Sequence, residues 1–425
     1  MILRHISHKT CYIGPKSVVR FRFLYLATLV FLSTTTLVAG CTKSPQMTEL
    51  AFVSVQGKDA SLYIVQPDGS SSRQVSNTVP WSVPNQQWSP DGNKLAFLAE
   101  YQGLMALYTT EKLSKVLQRL TVGMDVISYE WSPDGKEIAF SAVQGDDQDI
   151  YVISLDTLSL VNLTAGNNAA DVAPKWSHDG KRIAFLSAPG VKNSKRCQEG
   201  CSYRVYIIDK NGFNSRRVKP EGPLPQDQLS ECTPAWSPDD RYLALTRGCY
   251  PTEPWNILLF DLQTEKIVSL TTNDFGNSRD RWGVWLSNEQ LLARSFRADI
   301  SGEHYRVINR DGTNDHRLLP WDIENVNLID WTSDRRWFVW QEFEWGDQGT
   351  NEIVIGDLTT KQVTRTGVKG CSPKWSPSGS WIAYTTECID QEKSDVWIID
   401  RTGKNQRNLT AQLQGINHFP VWAPK

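Results

Sequence analysis

The sequence predicts an all-β fold: a single β-propeller of eight four-stranded blades closed by its N- and C-terminal strands, with seven blades as the alternative. Three observations predict it. Tryptophans recur at positions 88, 131, 176, 236, 285, 331, 375 and 422, at spacings of 43, 45, 60, 49, 46, 44 and 47 residues, a period that suits one blade. A Trp-Ser-Pro-Asp-Gly turn follows the early members of the series. An apolar run resembling Ile-Ala-Phe follows each of the first seven.

Residues 1–40 stand outside the repeat as a leader. They carry Arg4, Lys9, Lys16, Arg20 and Arg22 with no acid, then an apolar run from Phe23 to Gly40. A basic flank, a hydrophobic stretch and small residues before a cut are the layout of a signal peptide. Val38-Ala39-Gly40-Cys41 resembles a bacterial lipobox, which implies cleavage before Cys41 and a lipid on it. The alternative is an uncleaved anchor, for which 18 apolar residues are at the short end. The domain reading is therefore 1–40 signal peptide, 41–48 lipidated cysteine and tether, and 49–425 propeller. Without the leader, 40 basic residues face 47 acidic ones, a net −7. A mildly acidic chain with no basic stripe is ill suited to nucleic acid.

The repeat unit is structural chemistry. It stands intact at Trp88–Gly92 and Trp131–Gly135, nearly so at Trp176–Gly180, Trp236–Asp240 and Trp375–Gly379, and has lost its turn residues at Trp285 and Trp331. Pro fixes its own φ, Asp bonds nearby backbone and Gly accepts positive φ, so one strand turns tightly into the next. Eight positions after the first seven Trp stand Ala96, Ala139, Ala184, Ala244, Ala293, Val339 and Ala383, with no gap needed. Asn162-Leu163-Thr164 and Asn408-Leu409-Thr410 match a glycosylation pattern but read better as copies of one repeat edge.

Strand counting sets the blade number. A run of the same kind, Leu50-Ala51-Phe52-Val53, has no Trp before it, and Trp422 has no such run after it. The two ends complete each other if His418–Ala423 supplies the inner strand of the blade that begins at Leu50. Such a closure removes open sheet edges.

These motifs resemble the TolB-like family of WD-like propeller repeats, which also occurs in prolyl-oligopeptidase-type peptidases. The resemblance runs from residue 49 to the end and implies a propeller with a tendency to bind partners. Two departures limit it: only Thr42–Thr48 separates Cys41 from the first strand, where the Tol-system protein has an α/β domain, and no Gly-x-Ser-x-Gly elbow is present.

Cys11 lies in the leader, and six cysteines remain beside Cys41. Cys232 and Cys249 stand four before and thirteen after Trp236; Cys371 and Cys388 take the same offsets around Trp375. In a hairpin those offsets place the two cysteines opposite one another, within disulfide reach. Cys197 and Cys201 remain, in one loop. Three disulfides in an oxidising compartment are the expectation; zinc is the rival, but only one pair has a zinc-like spacing.

Functional residues are expected where the chain is generous: Ser187–Ser202, Lys219–Glu231, Arg247–Trp255, Gln341–Asn351 and Thr386–Asp395, all at the end away from the turns. Asp171, Glu231, Asp280 and Asn417 each sit five before a Trp, as a cation-binding ring or as repeat-wise caps. Glu342-Phe343-Glu344-Trp345 sets aromatics beside acids, suited to a sugar or a protein, or simply a solvated loop. The favoured function is a non-catalytic binding propeller at the cell envelope, held to a membrane by its lipid and engaging a protein or peptide, with no cofactor or metal. The alternatives are a carbohydrate-active enzyme, lyase or glycosidase, and a purely structural component. A lyase would want clustered histidines, whereas His178, His304, His316 and His418 are dispersed.

Overall fold

The computed structural model describes residues 48–425 apart from 58, 77–85, 115, 194–201, 220–230, 249–255, 272–277, 298–302, 319–325, 344–350 and 388–392. The strands belong to one compact unit, Pro45–Lys425. Among the described residues there are 32 strands and no helix.

Nearly all pairing is antiparallel between chain neighbours. β1 (Leu50–Gln56), β2 (Asp59–Val65) and β3 (Ser72–Ser76) are joined by the last strand, β32 (Ile416–Trp422), in the order β3-β2-β1-β32. β4 (Gln87–Trp88), β5 (Lys94–Tyr101), β6 (Leu104–Glu111) and β7 (Leu117–Arg119) form the next sheet. Then come β8 (Asp125–Trp131), β9 (Glu137–Gln144), β10 (Asp147–Ser154) and β11 (Leu160–Asn162), followed by β12 (Ala169–Trp176), β13 (Arg182–Pro189), β14 (Arg204–Asp209) and β15 (Arg216–Arg217). A single parallel bridge, Gln148 to Ala170, links these two groups into one eight-stranded sheet. Four more four-stranded sheets follow. They are β16 (Glu231–Trp236), β17 (Tyr242–Arg247), β18 (Asn256–Asp261), β19 (Ile267–Ser269); β20 (Ser278–Trp285), β21 (Gln290–Arg297), β22 (Glu303–Asn309), β23 (His316–Arg317); β24 (Val326–Trp331), β25 (Trp337–Phe343), β26 (Asn351–Asp357), β27 (Gln362–Lys369); and β28 (Cys371–Trp375), β29 (Trp381–Thr385), β30 (Val396–Asp400), β31 (Arg407–Asn408).

Each Trp of the series ends its strand, and in five of the eight the indole does more than fill space, whereas Trp176 and Trp375 keep a buried Nε1 without a partner. Trp131 Nε1 donates to Gln87 O at 3.1 Å, Trp236 to Lys175 O at 3.0 Å, Trp285 to Ala235 O at 3.0 Å and Trp422 to Lys374 O at 3.0 Å. The acceptor is always the residue just before the preceding Trp. Trp88 follows the same rule across the chain ends, donating to Val421 O at 3.2 Å. The apolar clusters have the same two-sheet character: Leu50, Phe52 and Trp422 pack with Ala383 and Ile398, and Ala96 and Leu107 with Trp131 and Phe140.

The turn after Trp88 shows why the motif works. Ser89 Oγ donates to Asp91 Oδ1 at 2.6 Å and accepts from Lys94 N at 2.9 Å, while Gly92 N donates to Ser89 O at 2.8 Å. The hydrogen bond from Ser89 holds the Asp91 carboxyl below the usual carboxylate range. Gly92 sits at φ 67°, and a Cβ there would come 2.5 Å from Pro424 O. Only glycine fits beneath the C-terminal segment.

Two expectations about the repeat need correction. The turn after Trp331 keeps the chemistry of the motif, because Thr332 Oγ1 donates to Asp334 and accepts from Trp337 N at 3.0 Å. The copy at Trp285 does not keep register: Trp285 pairs with Leu291, six residues on, where Trp88 pairs with Leu95 and Trp331 with Phe338, seven on. Its turn is one residue short, and a one-residue slip exchanges the two faces of a strand. Leu292, not Ala293, therefore takes the place of Ala96 and faces the following sheet with Phe338, while Ala293 faces back toward Ala244.

Candidate functional site

The strand registers place two kinds of connection at opposite ends of the sheets. At the tryptophan end the links are short and repetitive. At the other end, second and third strands are joined through 57–58, 102–103 and 145–146 in the first three groups, then through 190–203, 248–255, 298–302, 344–350 and 386–395 in the next five. Gln102 and Gly103 both have positive φ, 52° and 80°, which suits a two-residue hairpin. The longer connections thus occupy one continuous sector.

A polar layer lies under this end. Its described members are the buried Asp171 opposite Ser187, Asn417 opposite Ser54, Ser295 at the position opposite Asp280, Arg247 opposite Glu231, and Glu342 opposite Val326. Asp171 is fully buried and accepts from Asn167 Nδ2 at 2.7 Å. Burial pushes its carboxyl above the usual range, opposed by hydrogen bonds and helped by the nearby charge of Asp149. Asp149 itself accepts from Asn162 Nδ2 at 2.8 Å and Thr164 Oγ1 at 3.3 Å, while Thr164 Oγ1 accepts from Ile150 N at 3.0 Å. The same unit recurs with Asp395, which accepts from Asn408 at 3.0 Å, Thr410 at 2.9 Å and Asn417 at 3.4 Å. The repeated Asn-Leu-Thr edge is thus a cap over the third strand, with Asp171 or Asn417 leaning on it from the next sheet. The side chains of Glu231 and Asp280 lie outside the described residues.

Glu342 is also committed internally. Arg365 Nη2 donates to its Oε1 at 2.9 Å, Nη1 bonds Oε2, and Glu352 stands 3.6 Å from the same guanidinium. Phe343 pairs with Asn351 along the backbone; its side chain, Glu344 and Trp345 lie outside the described residues. Among the described residues no three His, Cys, Asp or Glu side chains group so as to hold a metal ion.

The offsets around the cysteines do not translate into direct cross-strand partners. Cys232 stands opposite Thr246 and Cys371 opposite Thr385, so Cys249 and Cys388 fall three residues farther along. A bulge between each cysteine and its Trp shifts the register by one. Cys197, Cys201, Cys249 and Cys388 lie outside the described residues, as does Cys41. No helix of the described residues is long and apolar enough to cross a membrane.

Sequence reasoning passed over two residues. His178, in place of the turn proline, frees a backbone N–H that donates to Asp240 Oδ1 at 2.7 Å; its Nδ1 lies 2.9 Å from the same oxygen, and Asp179 N donates to Oδ2 at 2.6 Å. Asp240 stands where other turns have glycine, at φ 55°. Paired departures from the motif in consecutive turns were the available signal. His418, on β32, is buried with Nε2 unpartnered, stacks on Phe419 at 4.1 Å and is pushed down to about 4 by burial. The histidines fall on three sheets, with His304 and His316 sharing one.

No known family profile matches the chain. Two curated relatives share a short stretch: the Tol-Pal system protein TolB of Zymomonas mobilis, 29% identical over 72 residues, and that of Rhizorhabdus wittichii, 31% identical over 72 residues. Each match covers 17% of this chain and 15% or 16% of the relative, so the chain spans under a fifth of those proteins. Solved structures match at greater length. An oligogalacturonate lyase in complex with manganese superposes with a TM-score of 0.55 at 14% identity, over 84% of this chain and 97% of that one. The lyase from Vibrio parahaemolyticus gives 0.55 at 12% identity, over 84% and 97%. A prolyl endopeptidase gives 0.54 at 13%, over 77% of this chain and 49% of that one. At such identities the likeness is one of fold: all-β, of the β-propeller type.

Proposed function

We propose that the chain is an exported, lipid-anchored propeller of eight blades, residues 49–425, which binds a protein or peptide partner at the end of its sheets opposite the tryptophan turns. The observation that carries the binding face is the collection of long connections there, from 190–203 to 386–395, over a rigid polar layer. Within that layer the described acids Asp171 and Glu342 serve the scaffold, which favours recognition by the loops over acid chemistry in the layer itself.

Eight blades are supported by the grouping of 32 strands into fours, counting the bridged sheet as two, and closure by β32 pairing with β1. The proposed disulfides, Cys232–Cys249, Cys371–Cys388 and Cys197–Cys201, would brace the loops of this face. Cys232 and Cys371 are both disulfide-bonded and hold the same register position, which supports the first two. Residues 1–40 as signal peptide, Cys41 as the lipid site and a cell-envelope location rest on the sequence.

Site-specific photocross-linking in cells tests the binding face. A benzophenone side chain at Lys192 or Lys393, at the loop end, should trap a discrete partner. The same probe at Lys181 or Glu265, at the turn end, should not. Adducts from the turn end alone, or none from any position, would overturn the assignment.

A further inference from the structure

The outermost strands of the sheets are short, two to five residues, with one exception: β27 runs for eight. It ends its sheet, paired on one side by β26 alone; a register shift after Arg365 interrupts it, and Gly367 N and Val368 N are taken by Glu352 and Thr366, so its regular outer edge, Gln362–Arg365, is the template for another strand. Beside it lies a cavity of about 550 Å³. The cavity has a structural cause. Phe338, Gly356 and Val363 are successive cross-strand partners, and the Phe338 ring folds over Gly356 so closely that a Cβ there would meet Cζ at 2.1 Å. On the opposite wall β23 is only two residues long and covers little of this face. Leu318, Leu358 and Val363 are left partly buried around Phe338.

The rim is polarised. Its acids are already occupied: Asp315 is bound by Arg306, and Asp357 by Arg336 at 2.9 Å, which holds the Asp357 carboxyl down to about 2. His316 and Lys361 are exposed at the same rim. Side chains alternate along a strand, so a chain added to β27 would set every second residue over the row of Val363 and Arg365.

We propose that β27 is a docking edge for an extended peptide segment, whose apolar side chain enters this cavity while an acidic neighbour meets Lys361 and His316. The site lies at the turn end and rests on observations independent of the binding face proposed above. Backbone pairing supplies affinity; the cavity and its cationic rim supply selectivity.

The test uses the mature chain and a fluorescein-labelled decapeptide with leucine and glutamate taking turns at every second position, so that both lie on one face, and threonine between them. Saturable binding is expected, with hydrogen exchange slowed across 361–369. Lys361→Glu, on an exposed turn, should weaken it about tenfold or more with an unchanged melting temperature. The peptide N-methylated at alternate amides should fail to bind. Equal affinity for the N-methylated peptide or for Lys361→Glu would overturn the proposal. So would protection confined to the loop end, or no saturable binding by folded protein.

Discussion

At turn positions of this repeat a proline and a glycine usually meet from neighbouring sheets: Gly135 faces Pro90 and Gly180 faces Pro133. His178 and Asp240 replace one such pair and make it polar, with the carboxylate accepting three donors of its neighbour. Asp240→Ala should cost about 1–3 kcal/mol, because it removes the charged acceptor of two backbone N–H groups while keeping the positive φ. His178→Pro with Asp240→Gly restores the ordinary turn and should recover most of that loss. A thermal-melt cycle on the single and double variants measures it, and additive losses would contradict the coupling. His418 predicts a pH dependence. Its folded value is depressed from 6.5 to about 4, so the unfolded chain binds the extra proton between those limits. Stability should be full above about pH 6.5 and fall by about 2 kcal/mol toward pH 4, an effect lost in His418→Gln. Both histidines were named in the sequence only as members of a dispersed set, since the role of each depends on the neighbours it touches.

At the scale of the element, the strands and turns were legible because Trp, hydroxyl, Asp and Gly are each required by local hydrogen bonds. Register was less so. Ala173, Ser372 and Phe419 take positive φ, 53°, 52° and 55°, each just before a proline at the register shift in its strand. A proline has no N–H for the ladder, and the bulge accommodates it. The register Trp236 to Leu243 already sets the residue four before the Trp opposite Arg247, two short of Cys249, and the bulge takes one more, which is why Cys232 faces Thr246. Counting likewise missed the short turn at Trp285. The disulfide proposal predicts a peptide linking Cys232 to Cys249 and another linking Cys371 to Cys388 under non-reducing conditions. Each bond should add about 2–3 kcal/mol by restricting the unfolded chain. A peptide joining Cys232 to Cys388 would contradict it. Asp171 was read from position alone as one of two things; the structure adds that it is fully buried and accepts from Asn167.

At the scale of the molecule, the sequence reads closure from what each end lacks, a strand without a Trp and a Trp without a strand. The two ends meet in a few residues: Leu50 opposite Trp422, Trp88 bonded to Val421 O, and Gly92 beneath Pro424. The proposed binding face is read from loop length; its ligand is not legible, because loop sequences carry no repeat to be read against. If β32 completes the sheet begun by β1, removing it exposes the β1 edge and unseats the apolar cluster around Leu50, Phe52 and Trp422. The most direct measurement compares the mature chain with one ending at Gly415, by thermal melting and size-exclusion chromatography. The closed ring predicts that the shortened chain melts at least about 10 °C lower, or aggregates. An unchanged melting temperature and a monodisperse monomer would contradict it.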